Sequence, residues 1–398
     1  MIPRHITPSL AIAAGRYPVV YLTGPRQSGK TTLAMAAFPE HPYVSLEDPD
    51  EREFAALDPR GFLRRFSDGA IFDEIQRAPE LLSYLEGEVD RDARPGRFII
   101  TGSQQLLLRH HVSQTLAGRV ALLQLLPFSL AELEGREPAD PAALADATNF
   151  PAPPACSLET MLFEGLYPRI HDQRLDARDW LANYYRAYVE RDVRQVLKIG
   201  DLETFQRFVR LCAGRSGQLL NLSSLGSDCG ISHSTARQWL SVLEASFLVM
   251  LLRPHHANFS KRLVKSPKLY FLDTGLLCYL LRVTRPEDLE THPAKGAILE
   301  TFVVSEFVKT FLNRAEDPPL HFWRDRTGHE VDLLVDLPGG TIPVEVKAGR
   351  TVASDAFAGL RYWLALADVP GGHGVLVYGG DGGYEREGIA VRPWYALG

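Results

Sequence analysis

Gly24 and Gly29 bracket four residues and are followed at once by Lys30-Thr31-Thr32. Glycines at that spacing let backbone N–H groups converge on phosphate oxygens, and a helix starting at the lysine adds its positive N-terminal end. Gly24, Pro25, Arg26, Gln27, Ser28, Gly29, Lys30, Thr31 and Thr32 are thus expected to cradle ATP. Lys30 is expected to reach the β and γ phosphates, and Thr31 to hold Mg²⁺ through its hydroxyl. The apolar run Ala70-Ile71-Phe72 ends in Asp73-Glu74. On a strand neighbouring that of the loop, Asp73 serves the metal, and Glu74 orients or deprotonates the attacking water. Phe98-Ile99-Ile100-Thr101 leads into Gly102-Ser103. Either Ser103 or Thr101 is expected to sense the γ phosphate. Arg119 has two readings. It is an arginine finger, acting in cis or from a neighbouring subunit of a homo-oligomer, or it bonds loop carbonyls.

A second constellation lies in the last third. Glu300 sits in a helical pattern over 298–312, and Glu330–Val335 reads as a buried strand. Pro338-Gly339-Gly340-Thr341 turns the chain back into Ile342–Lys347. Period-two spacing puts Glu345 and Lys347 on one face, so a hairpin brings Asp332 beside both. Two carboxylates suit a divalent cation, and a lysine beside them stabilises phosphorane charge. Glu300, Asp332, Glu345 and Lys347 resemble the restriction-endonuclease-like pattern: an acid, then Asp, then (Asp/Glu)-x-Lys. The resemblance implies Glu300, Asp332 and Glu345 as metal ligands and Lys347 as a catalytic cation. The structural alternative is a β-hairpin with a surface Asp–Lys pair.

The elements that must position these residues are legible in the hydrophobic pattern. Val19–Thr23, Tyr43–Leu46, Ala70–Phe72 and Phe98–Thr101 alternate with helical stretches, the rhythm of a parallel α/β sheet. Residues 137–154 are rich in Ala, Pro and Asp and read as a linker unable to build a core. A second break falls at 285–294. The expected domains are a P-loop ATPase at 1–150, a helical and winged-helix region at 151–290, and an α/β restriction-endonuclease-like domain at 291–398.

Residues 204–248 read as a helix-turn-helix. A helix closed by glycine precedes a short helix over 222–229, a Gly230-Ile231-Ser232 turn and a helix over 234–244. Ala236, Trp239, Leu240 and Leu243 face the core. Ser234, Thr235, Arg237 and Gln238 lie outside, where such a helix reads a DNA groove. Lys261, Arg262 and Lys265 belong to a basic window, 253–268, placed as a wing between two strands. The alternative is a winged helix used for protein contact or as an ATPase lid.

GPRQSGKT, FDEIQRAP, ITGSQ and LAGRV…LLPFSLAEL resemble, in this order, prokaryotic AAA-type P-loop ATPases fused to a C-terminal domain of unknown function. Asn221-Leu222-Ser223 and 261–276 resemble that C-terminal domain. The resemblance spans nearly the whole chain and implies an ATP-dependent protein with a nucleic-acid-facing C-terminal half.

Composition bounds these readings. The chain has 398 residues, 45% of them hydrophobic and 23% charged, with a net charge of −6. That is too long for one core, and it excludes disordered and collagen-like chains. Four cysteines without metal-ligand spacing point to a reducing compartment. No apolar run is long enough for a transmembrane helix, and the first ten residues lack a signal-peptide core. The expectation is a cytoplasmic protein with no membrane partner. Residues 1–150 carry 15 basic and 20 acidic side chains, residues 151–290 carry 18 and 15, and residues 291–398 carry 10 and 14. The positive balance lies where the DNA-facing helix is expected. The leading reading is an ATPase coupling nucleotide state to DNA binding, with metal-dependent cleavage as an added expectation. The alternatives are a nucleotide-dependent switch or scaffold with an inactive nuclease-like fold, and an RNA- or protein-directed ATPase.

Overall fold

The structure, a computed structural model, describes residues 2–103, 115–138, 140–146, 150–189, 201–255, 264–367 and 373–397. The chain divides into two compact units. The first is Met1–Phe128 with Ala245–Phe247 and Phe311–Glu316, and the second is Ser129–Glu244, Leu248–Thr310 and Asp317–Gly398. Segments 151–290 and 291–398, expected as two domains, both fall mainly in the second unit.

The first unit is built on a parallel sheet of β1 (Val19–Thr23), β2 (Tyr43–Ser45), β3 (Ala70–Asp73), β4 (Phe98–Gly102) and β5 (Val120–Gln124), in the order β2-β3-β4-β1-β5. β1, β3 and β4 are buried throughout, and apolar up to the polar residues at their carboxyl ends, because both sheet faces are covered. Val19, Tyr21, Phe72, Phe98 and Ile100 pack on one face, and Val20, Leu22, Ile71 and Ile99 on the other. The order corrects one expectation. β3 does not neighbour β1, because β4 lies between them. The parallel arrangement brings the carboxyl ends of β1, β3 and β4 to one edge, where α/β sheets carry their sites.

The second unit begins with helices that include Leu202–Ala213, Leu222–Cys229 and His233–Ala245. Asp201 and Asn221 cap the first two by accepting from the Thr204 and Ser224 backbone N–H groups. Gly230, at φ +73°, ends the second in the left-handed conformation that glycine tolerates. β6 (Gln218–Leu219), β7 (Val249–Leu252) and β8 (Lys268–Phe271) make an antiparallel sheet in the order β6-β8-β7.

A mixed six-stranded sheet follows, from β9 (Leu320–Arg324), β10 (Glu330–Leu337), β11 (Gly340–Lys347), β12 (Gly374–Tyr378), β13 (Tyr384–Arg386) and β14 (Ile389–Pro393). β10 and β11 form the expected hairpin, with Leu333 opposite Val344. The Lys295–Asn313 helix carries Glu300. The linker expectation needs correction within 141–146. Leu144 is fully buried, and the buried Arg392 guanidinium donates to the Ala143 and Leu144 carbonyls at 3.0 and 3.3 Å. Among the described residues no helix is long and apolar enough to cross a membrane.

Candidate functional site

At the edge of the parallel sheet the loop after β1 closes tightly. A Cβ at Gly24 (φ +153°) would stand 2.0 Å from the Leu125 carbonyl oxygen, so only glycine fits. Gly29, at φ +92°, opens the Lys30–Ala37 helix. The Lys30 ammonium is buried and donates to the Gly24 and Pro25 carbonyls at 3.1 and 2.8 Å. Burial lowers its pKa to about 8, against the pull of Glu74 and Asp73. The Ser28 hydroxyl is fully buried and has no hydrogen-bond partner among the described residues, as a group meant for a ligand would be. Arg26 pairs with Glu47 at 3.4 Å, and Thr32 is exposed. Arg4 braces the loop from outside by donating to the Ser28 and Leu126 carbonyls, each at 2.7 Å.

The acidic pair meets the loop as its chemistry requires. Thr31 Oγ1 lies 3.1 and 3.0 Å from the two Asp73 oxygens. Thr101 Oγ1, on the intervening β4, donates to Asp73 Oδ1, and the Tyr43 hydroxyl donates to Oδ2 at 2.9 Å. Three hydroxyls thus hold one carboxylate beside the loop. Glu74 takes φ +55°, which turns it out of the strand. Its Oε2 accepts from Ser103 Oγ at 2.8 Å and from the Gln76 amide. Burial alone would raise the Glu74 pKa. The cations Lys30 and Arg26 and these two donors outweigh it and hold the carboxyl below its usual range.

Thr101 and Ser103 therefore divide the two acids between them. Gln76, Tyr43 and Arg4 were not singled out from sequence. Gln76 lies two residues past Glu74, but nothing in its type marks it. Arg119 donates to both Asp90 oxygens at 2.5 and 3.0 Å and lies 3.4 Å from Glu86 and from the Ala117 carbonyl.

The second constellation also assembles. Asp332 Oδ2 accepts from the Val346 N–H at 2.9 Å, which fixes it beside Glu345, and Glu345 pairs with Lys347 at 2.5 Å. With Glu300 these residues line a cavity of about 520 Å³. Sequence reasoning missed the residue at its centre. Lys268 was part of the basic window, yet its side chain is only 3% exposed. Its Nζ lies 2.8 Å from Glu300, 2.6 Å from Glu330 and 3.6 Å from Asp332. Tyr270 donates to Glu300 at 2.5 Å.

Burial and then the Asp332 charge push Glu300 up to about 7 and Glu345 up to about 8. Burial would depress the Lys268 pKa, but Tyr270, Glu300, Asp332 and Glu330 raise it well above normal. Among the described residues no group of three His, Cys, Asp or Glu side chains could hold a metal ion. The donor types suit one, but the geometry as it stands does not.

On the His233–Ala245 helix, Ala236, Trp239, Leu240 and Leu243 are buried, with Trp239 edge-on to Phe205 and Phe208. Ser234, Arg237 and Gln238 are exposed and Thr235 is half-buried. Lys265 is exposed. Lys261 and Arg262 lie outside the described residues.

Residues 16–134 match the AAA domain family. With the parallel sheet and the loop geometry, this defines an α/β P-loop ATPase of the AAA type, a class that binds and hydrolyses ATP. Residues 156–287 and 295–397 match two domains of unknown function, DUF8612 and DUF4143. The chain belongs to the family of the uncharacterized proteins Rv2008c of Mycobacterium tuberculosis and Mb2031c of Mycobacterium bovis. It is 32% identical to each over 379 residues, covering 95% of this chain and 80% of the relative.

Among solved structures, the Walker-type ATPase PABY2304 of Pyrococcus abyssi is 15% identical, with 70% of this chain and 96% of that one covered at a TM-score of 0.47. AMPPCP-bound DnaA from Aquifex aeolicus is 13% identical, with 60% and 85% covered at a TM-score of 0.30.

Proposed function

We propose that the protein is an ATPase whose nucleotide state governs engagement of DNA by its second unit. The observation that carries the reading is the junction of Lys30, Thr31, Asp73 and Glu74 at one sheet edge, with each acid held by its own donors. Lys30 leaves the loop carbonyls for the β and γ phosphates, and the backbone N–H groups of 24–32 bind the phosphate oxygens. Thr31 and Asp73 offer the oxygen donors that Mg²⁺ prefers. When bound there, that ion supplies positive charge to the transferring phosphoryl group. Glu74 takes a proton from the attacking water, and Ser103 and Gln76 aim it.

Lys30→Ala is expected to abolish ATP binding. Glu74→Gln is expected to keep binding and to slow hydrolysis by about 10²–10⁴-fold. Retained turnover in Glu74→Gln would contradict the assigned base.

Support for DNA comes from the second unit. A helix, the short strand β6, two further helices and the strands β7 and β8, paired as the antiparallel sheet β6-β8-β7, suit a winged helix, and the last helix offers Ser234, Arg237 and Gln238 to solvent. Arg119 completing the ATP site of a neighbouring subunit is part of the same proposal, and gel filtration with and without ATP tests the assembly.

One observation favours a second reading, in which the nuclease-like part is a non-cleaving scaffold. A lysine stands among the carboxylates of the pocket, within 2.8 Å of Glu300 and 2.6 Å of Glu330. A Mn²⁺-dependent nuclease assay on the wild type and Lys347→Ala separates the two. Cleavage lost in Lys347→Ala supports an enzyme, and no cleavage of single- or double-stranded DNA with ATP present supports the scaffold.

A further inference from the structure

The pocket of the second unit contains more acid than its own partners neutralise in pairs. Glu345 is 8% exposed, and its Oε2 has no hydrogen-bond partner among the described residues although it lines the cavity. That unpartnered oxygen, facing the cavity, is where an added cation would have to settle. Asp332 Oδ2 is occupied by the Val346 N–H, which leaves Oδ1 directed toward Lys268 at 3.6 Å. Glu300 Oε1 receives both the Lys268 ammonium and the Tyr270 hydroxyl.

The lysine comes from β8 of the antiparallel three-stranded sheet, whereas the acids come from the Lys295–Asn313 helix and the β10–β11 hairpin. Its side chain is as buried as the core residues around it, so its position is set by packing.

We propose that Lys268 is a resident cation in this pocket: its ammonium pairs with Glu300 and with Glu330, which Arg324 also meets at 3.1 Å, lies near Asp332, and keeps a divalent metal ion from settling on Asp332 and Glu345. The inference rests on the nuclease-like reading of the pocket and adds a regulator to it. A divalent ion beside a fixed ammonium meets repulsion that the carboxylates must overcome. The wild-type protein therefore rejects the ion even though its donor atoms are of the right kind.

The test is Mn²⁺ binding by the full-length, nucleotide-free protein, followed by electron paramagnetic resonance of free Mn²⁺ and by calorimetry. Wild type is expected to show no Asp332-dependent site into the millimolar range. Lys268→Gln is expected to bind one ion at that site about 30-fold more tightly or better, the factor that one unit charge close to a divalent ion imposes even in water. Adding Asp332→Asn or Glu345→Gln to Lys268→Gln should abolish the gain, and Lys268→Arg, which keeps the charge, should behave as wild type.

Wild-type binding that is lost in Asp332→Asn overturns the inference and leaves the nuclease-like reading standing; this measurement needs no Lys268 variant to fold. A folded Lys268→Gln protein, checked by circular dichroism, that takes up no ion overturns both.

Discussion

Asp73 accepts hydrogen bonds from Thr31, Thr101 and Tyr43, so its orientation does not depend on a bound ion. Burial and the Asp73 charge push the Tyr43 phenol up to about 12, which keeps it a donor at neutral pH. Thr101 is fully buried and nearly the shape of valine. Thr101→Val is expected to cost about 1 kcal/mol of stability, the usual worth of one hydrogen bond, and to slow ATP hydrolysis by about tenfold with little change in ATP affinity. Thermal melting and single-turnover kinetics check this, and loss of ATP binding instead would place Thr101 in the cradle.

The loop was legible because its glycines and Lys30-Thr31 must be contiguous to work. The clamp on Asp73 was not legible: Thr101 and Ser103 read as candidates for sensing the γ phosphate, and Thr101 reaches Asp73 through a strand order that no local pattern encodes. Lys268 was misread for the same reason. In sequence it sits among Lys261, Arg262 and Lys265, and only the fold brings its side chain against Glu300, Glu330 and Phe322.

The His233–Ala245 helix separates a packing face from a solvent face, and the two should respond differently to substitution. Trp239→Ala removes a ring held edge-on by Phe205 and Phe208 and should cost about 3–5 kcal/mol, read from urea unfolding. Arg237→Ala changes an exposed side chain and should leave stability within about 0.5 kcal/mol. On the proposed function it weakens DNA binding and lowers the slope of log affinity against log salt by about one. An unchanged slope would remove this helix from the DNA surface. The periodicity of Ala236, Trp239, Leu240 and Leu243 made this element readable in advance, because a helix that packs on one side records that side in its sequence. The 137–154 stretch was less readable. Its Ala- and Pro-rich composition suggests a free linker, yet Leu144 is buried and Arg392 binds the carbonyls beside it, a partner some 250 positions away in the chain.

At the scale of the molecule, the second unit holds together two segments that match separate domain families. Lys295, at the start of the second match, pairs at 2.7 Å with the buried Glu159 of the first, and Arg350 lies 3.6 Å from the same carboxylate. Burial would raise the Glu159 pKa, but the Lys295 hydrogen bond and the two cations depress it below its ordinary value of 4.5. A carboxyl depressed in the folded state contributes stability above its unfolded pKa and loses it as pH falls through the folded one. The melting temperature of the wild type should therefore drop below about pH 4.5. Lys295→Met should destabilise the unit at neutral pH by about 3 kcal/mol and flatten that acid limb. An acid limb that is unchanged in Lys295→Met would show that the pair does not join the segments.

The net charge of −6 carries less information than its division. The first 150 residues, with 20 acids against 15 bases, include the P-loop, and the 151–290 stretch, with 18 bases against 15 acids, includes the helix that the proposed function assigns to DNA. The central claim joins these two parts through nucleotide state, and the steady-state ATPase rate of the full-length protein with and without double-stranded DNA tests it most directly. The account predicts a rate that rises several-fold with DNA, is lost in Lys30→Ala, and rises less in Arg237→Ala. A robust ATPase rate that is the same with and without DNA would contradict it.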